Sequence, residues 1–182
     1  FSSTGTANLN NGLTGAINYA GNNGTVNLAD GKAISGAVTT TTAGTGILNA
    51  LGAATLSSDV GASSLAIGQL NVNTAGGTGS TVNANGNVFA NTVSLNRSGE
   101  LVMADTKNLT GNVTTAANGT GSLTLAGTST VTGNVGSSSA ALGTVNAGVT
   151  GKTATFTSGV VYANTLNYTG NGTAVFNGSS PV

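Results

Sequence analysis

Four carboxylates are all the acid this chain has: Asp30, Asp59, Glu100 and Asp105. Glu100 and Asp105 are close enough in sequence to be weighed as the acid and base of a glycosidase-like pair. A structural reading is favoured over it. Asp30 and Asp105 stand at matching points, each two residues ahead of a lysine, Lys32 or Lys107, which suits an exposed turn with a weak ion pair. There is no His, so the usual general base, the Ser–His pair and the imidazole metal ligand are missing. With no Cys, disulfides and thiolate metal sites are excluded too. The expectation is no catalytic, cofactor-binding or metal-binding residue, and no cofactor.

Two weaker motifs carry no role. Gly76-Gly-Thr-Gly-Ser80 is like the opening of a calcium-binding Gly-rich repeat. It lacks the Asp that would supply hard oxygen ligands, so a loop is expected. Asn118-Gly-Thr120 and Asn171-Gly-Thr173 have the form of glycosylation acceptors, but a chain this rich in Asn and Thr produces such triplets by chance. The bases Lys32, Arg97, Lys107 and Lys152 are scattered, and the net charge is zero. That removes any general attraction to nucleic acid or acidic membranes. No apolar run approaches the length of a membrane helix.

The elements that would have to position any site follow from composition and period. Charged residues are 4% of the chain, against roughly 25% in ordinary proteins. Gly, Asn, Thr and Ser, all weak helix formers, take their place. The one stretch where helix competes, Gly46-Ile-Leu-Asn-Ala-Leu-Gly-Ala-Ala54, is short and holds two Gly residues. Elsewhere the apolar period is two, as in Thr25-Val-Asn-Leu28, Ser122-Leu-Thr-Leu125 and Thr153-Ala-Thr-Phe-Thr157. Short strands broken by Gly or Asn are expected.

The chain also repeats itself. Lys32-Ala-Ile-Ser-Gly-Ala-Val38 falls on Lys107-Asn-Leu-Thr-Gly-Asn-Val113, and Gly44-Thr-Gly46 on Gly119-Thr-Gly121. Val60-Gly61 falls on Val135-Gly136, and Ser64-Leu-Ala-Ile-Gly68 on Ser139-Ala-Ala-Leu-Gly143. All these pairs share one spacing, about 75 residues, which is the mark of an internal repeat. After a small deletion, Gly86-Asn-Val-Phe-Ala-Asn-Thr-Val93 lies on Gly159-Val-Val-Tyr-Ala-Asn-Thr-Leu166. Matched large residues, Phe89 with Tyr162, Leu95 with Tyr168 and Met103 with Phe176, are expected in core or corner stacks. Residues 31–105 and 106–177 are thus two copies, 1–30 the end of a preceding copy, and 178–182 a tail. This reads as one solenoid fragment of a longer array.

Two β architectures compete. Asn-Gly at Asn11, Asn23, Asn85, Asn118, Asn171 and Asn177 would suit hairpins and an antiparallel sandwich. Against it, Thr110-Gly-Asn-Val113 recurs as Thr132-Gly-Asn-Val135. That step, about 22 residues, is near the length of one coil of a parallel β-helix. Asn and Gly also serve solenoid corners, since both tolerate the left-handed conformation. An all-β, right-handed parallel β-helix with three to four coils per repeat is therefore expected. Val113 and Val135 should both point inward from neighbouring coils.

The segments Gly133-Asn-Val135 through Leu142-Gly-Thr-Val-Asn146, with Val161-Tyr-Ala-Asn-Thr-Leu-Asn-Tyr168 and Gly172-Thr-Ala-Val-Phe-Asn177, resemble the passenger repeats of rickettsial surface cell antigens. The repeat length is similar to that of rickettsial outer membrane protein A. The likeness is best over 106–177, weaker over 31–105 and partial before that. It implies a passenger displayed outside a Gram-negative cell, anchored through a barrel elsewhere, that mediates adhesion to and entry into host cells.

The expected function is a non-enzymatic extracellular structural or adhesive segment that makes its contacts through a lateral surface repeated from copy to copy. Its partners would be a host-cell surface protein or glycan, or other copies met end to end or laterally. Nucleic acid and direct membrane insertion are not expected. The alternatives weighed are a self-assembling filament or surface-layer subunit, with Pro181 blunting one edge, and a carbohydrate-active β-helix enzyme.

Overall fold

A computed structural model of the chain describes residues 3–73, 75 and 80–178, apart from the side chain of Ser158. Both the Gly-rich stretch at 76–79 and Pro181 lie outside the described residues. Among the described residues every regular element is a strand. The strands pair in parallel, in a nine-stranded, a seven-stranded and a two-stranded sheet. This is the parallel β-helix that the spacing implies. The hairpin reading of Asn-Gly fails because those dipeptides turn the corners of the solenoid and do not join antiparallel strands.

Each coil has three sides, and on each side inward residues stack on their counterparts in the next coil, so that columns run along the solenoid. On side one the column runs Ala7, Val26, Leu48, Leu70, Val93, Val113, Val135 and Val161. On side two it runs Leu13, Ile34, Leu56, Ala84, Met103 and Leu125. On side three it runs Ile17, Val38, Val60, Val88, Leu109, Val131, Phe156 and Phe176. From Val26 to Val135 the side-one column is buried throughout. Strict alternation makes this possible: Thr45–Ala50 and Thr120–Leu125 bury every second residue. A fully buried aliphatic side chain contributes about 1.5–3 kcal/mol, so the columns are the main source of stability. Val113 and Val135 both point inward from neighbouring coils, as their shared motif implies. At Phe156 and Phe176 the column becomes a ring stack with centroids 4.8 Å apart.

The repeat does not span a whole number of coils. Ladder partners are typically 22 residues apart. A repeat of about 75 residues is therefore three coils and one further side. Repeat mates change column as a result. Leu48 and Leu70 stand on side one, but their mates Leu123 and Val145 stand on side two. Leu56 of side two has Val131 of side three as its mate. Val38 and Val60 of side three have Val113 and Val135 of side one. Each copy is turned by one side relative to the one before it.

The small deletion between the copies also has a structural form. The strand Ile67–Val72 is followed by Thr81–Ala84, whereas Leu142–Ala147 is followed by Thr153–Ser158. The connection 148–152 is thus shorter than 73–80. A bulge in the strand that follows it, where Val131 pairs Phe156 but Thr132 pairs Ser158, restores one residue. Shortening and bulge together set the change in offset between the Val60–Val135 and Gly86–Gly159 pairings.

Corners demand glycine where coils touch. Gly111 and Gly133 have φ of 141° and 127°. A Cβ on Gly133 would collide with the carbonyl oxygen of Gly111, and one on Gly111 with that of Ala90. This explains the Thr-Gly-Asn-Val pattern at both places.

Candidate functional surface

The four carboxylates are spread over the solenoid, and each is engaged in joining coils. Asp30 Oδ1 accepts the Ala53 N–H at 2.7 Å, and Asp105 Oδ1 accepts the Thr128 N–H at 2.8 Å. Ala53 and Thr128 are themselves repeat mates, so the matched acids do matched work one side apart. Gly52 and Gly127 leave room for it, because a Cβ on either would strike the carboxylate. Asp59 Oδ1 accepts the Asn87 N–H at 2.7 Å. Glu100 accepts the hydroxyls of Thr81 and Thr124 at 3.0 and 2.6 Å.

The expected ion pair between an Asp and the Lys two residues on is not formed at Asp105. Its partner is Lys152, 2.5 Å away. A left-handed turn at Thr106, with φ of 65°, separates Asp105 from Lys107, whereas stacking brings the distant lysine alongside. Lys152, the Thr128 N–H and the Thr106 N–H hold the Asp105 carboxyl below its ordinary range. Both side chains of the pair are about two-fifths exposed, so solvent screens it and it is worth little.

Glu100 and Asp105 do not come together as a pair. The strand from Glu100 to Met103 already spans about 10 Å, and Asp105 lies beyond the corner. Paired glycosidase carboxylates stand about 5–9.5 Å apart. Among the described residues, no group of three or more His, Cys, Asp or Glu could hold a metal. Among the same residues, no helix is long and apolar enough to cross a membrane.

What the exterior does carry is hydrogen-bonded amide and hydroxyl ladders. On side one, Gln69 Nε2 donates to Asn71 Oδ1 at 2.7 Å, Asn71 Nδ2 to Asn49, Asn49 Nδ2 to Asn27, and Asn27 Nδ2 to Asn8, the last three at 2.7–2.8 Å. On side two, Asn167 Nδ2 donates to Asn146 Oδ1 at 3.0 Å, and Asn146 Nδ2 to Thr124 Oγ1 at 2.8 Å. The Thr124 hydroxyl then donates to Glu100. Thr124 and Asn146 are the mates of Asn49 and Asn71, so the second ladder is the first one moved round by one side. Corner amides behave alike: Asn87, Asn108, Asn112 and Asn134 each accept a backbone N–H from the following coil at 2.8–3.0 Å. Sequence reasoning places Asn outside and at corners but does not find the ladders. The signal is there in Asn8, Asn27, Asn49 and Asn71, which recur at 19 and 22 residues.

The aromatics divide by position. Leu95 and Met103 are buried in the core. Phe89 and Tyr162 are half-buried on the outer side of a corner. Tyr168 is half exposed, although its mate Leu95 is buried. Shallow apolar hollows lie at the two ends, one lined by Leu9, Leu13 and Ile17, the other by Val161, Leu166 and Phe176.

No protein-family model, curated protein or solved structure matches the chain.

Proposed function

We propose that the chain is a non-enzymatic structural and adhesive segment of an extracellular, surface-displayed passenger. It acts as a stiff rod that contacts host-cell protein or glycan through its side chains. The observation that carries this reading is the content of the exterior. Its acids accept hydrogen bonds that tie coil to coil, and the rest is mostly amide and hydroxyl. The resemblance to rickettsial passenger repeats supports the location.

One part of the expectation changes. A single lateral face that presents the same surface at each repeat does not exist, because mates fall on successive sides. A flat partner laid along one side therefore meets different residues from each copy. Contacts can still sum by multivalency, but through the strand spacing and not the repeat spacing.

The test is adherence of the purified chain to host cells at low and high salt, with the E100Q/D105N variant alongside. Uncharged contacts predict binding that changes little with salt and persists in the variant. Loss of binding at moderate salt, or a hydrolytic activity that the double substitution removes, would contradict the proposal.

A further inference from the structure

We infer that the two amide ladders are strips for lateral association with a second copy of this chain, and that their placement on adjacent sides makes the assembly open. This does not rest on the adhesive reading, since it concerns purified protein alone.

An Asn side chain offers two N–H donors and two acceptor lone pairs. Asn27 and Asn49 each spend one donor and one acceptor on the ladder. The remaining donor and acceptor of each make the strip complementary to itself. The same holds on side two at Asn146, between Asn167 and Thr124. The ladder bonds also fix these side chains in advance, which lowers the entropy lost on association.

Two further properties favour a second copy as occupant. Neither strip carries a basic residue, and the one acid, Glu100, ends the second strip with both oxygens in hydrogen bonds. The outward neighbours are Thr25, Ile47 and Gln69 on side one and Ser122, Thr144 and Thr165 on side two. Like strips therefore meet with little repulsion. Two copies also share the same rise per coil, about 4.8 Å, so a match at one coil holds at the next. Amide ladders on parallel, in-register strands are a known packing surface between sheets.

Size sets the strength. Four coils at about 4.8 Å, crossed by strands about 20 Å long, give roughly 400 Å² per partner. A stable interface needs about 800 Å² on each side. One strip alone is weak, and assembly depends on many contacts. A copy held through its side-one strip still presents the strip on side two, so growth continues and does not close as a dimer.

The experiment is sedimentation velocity over a wide concentration range, on the wild type, Asn49→Lys, Asn146→Lys and the double variant. Both positions face outward, and a cooperative melt confirms folding; Asn71→Lys serves as a second side-one variant. A lysine on each facing strip sets like charges against each other. The wild type should grow beyond dimers as concentration rises. Each single variant should stop at dimers, made through its remaining strip. The double variant should lose at least about tenfold in association and sediment as a monomer. A wild type that stays monomeric throughout, or a double variant that assembles as the wild type does, would overturn the inference.

Discussion

The phenol of Tyr19 donates to the carbonyl of Ile47, 2.7 Å away, and its ring fills the space that a side chain at Gly46 would need. Gly46 has φ of +86°. The mate of Gly46 is Gly121, with φ of +74°, and it closes in the same way on Leu95. A large residue beneath a left-handed glycine is thus a recurrent corner device, displaced by one side from copy to copy.

Gly46→Ala should therefore destabilise the chain by at least about 2 kcal/mol, from strain at positive φ plus the clash with Tyr19. Gly31→Ala is the control. Gly31 has φ of +69°, but a Cβ there meets nothing within 4 Å, so the cost should be near the conformational penalty alone, about 1–2 kcal/mol. Tyr19→Phe keeps the ring and removes the hydrogen bond, for about 1–2 kcal/mol. Urea titration of the three variants gives the order.

Ser129 is buried, and its hydroxyl has no hydrogen-bond partner among the described residues. Its mate in the earlier copy is Ala54, also buried. The site accepts a methyl group, so Ser129→Ala should be neutral or raise stability by up to about 1 kcal/mol. A loss of stability in denaturant titration would show that the hydroxyl is satisfied.

Acid and alkali should act through different residues. Burial raises the Tyr19 phenol above its ordinary value of 10.0. The folded chain keeps a proton that the unfolded chain releases, so this contribution is complete below about pH 10 and is lost as pH rises further. Tyr19 should ionise only on unfolding, seen as one phenolate that appears together with the loss of β circular dichroism. Asp105 is shifted the other way, down from 3.8, chiefly by its hydrogen bond from Lys152. Its contribution is present above that value and is lost as pH falls through the lowered one. Because the pair is screened, Asp105→Asn should lessen the fall of stability in acid only slightly, and it should leave the alkaline limb unchanged.

The columns were legible in the sequence because alternation is a local signal. Thr25-Val-Asn-Leu28 and Ser122-Leu-Thr-Leu125 declare their inward residues without reference to any neighbour. The recurrence of Thr-Gly-Asn-Val placed Val113 on Val135. The turn of each copy by one side was equally present in the lengths of coil and repeat, and follows once one is divided by the other. Long-range partners were not legible. Lys107 lies close to Asp105 in sequence, yet Lys152 takes it, because the partner is decided by how corners of stacked coils overlap. The exposure of Tyr168 against the burial of Leu95 has another cause: Ala163–Tyr168 is the edge strand of the seven-stranded sheet, with no described strand paired beyond it. Leu95 is covered by the coil that holds Gly121, a contact that no local pattern encodes.

The length of a coil does not divide the repeat, and because the chain has no cysteine the resulting rotation can be measured directly. Val102 and Thr124 are outward neighbours in adjacent coils on side two, one from each copy. With Val102→Cys and Thr124→Cys together, the two thiols should oxidise readily to an intramolecular disulfide, since stacked strands bring Cα atoms within the roughly 4.4–6.8 Å that the bond requires. Val102→Cys with Asn146→Cys, two coils apart, should not. Mass spectrometry of the non-reduced chain reads both. If the first pair stays reduced while the protein is folded, copies do not meet side to side in this register, and the rotated repeat is wrong.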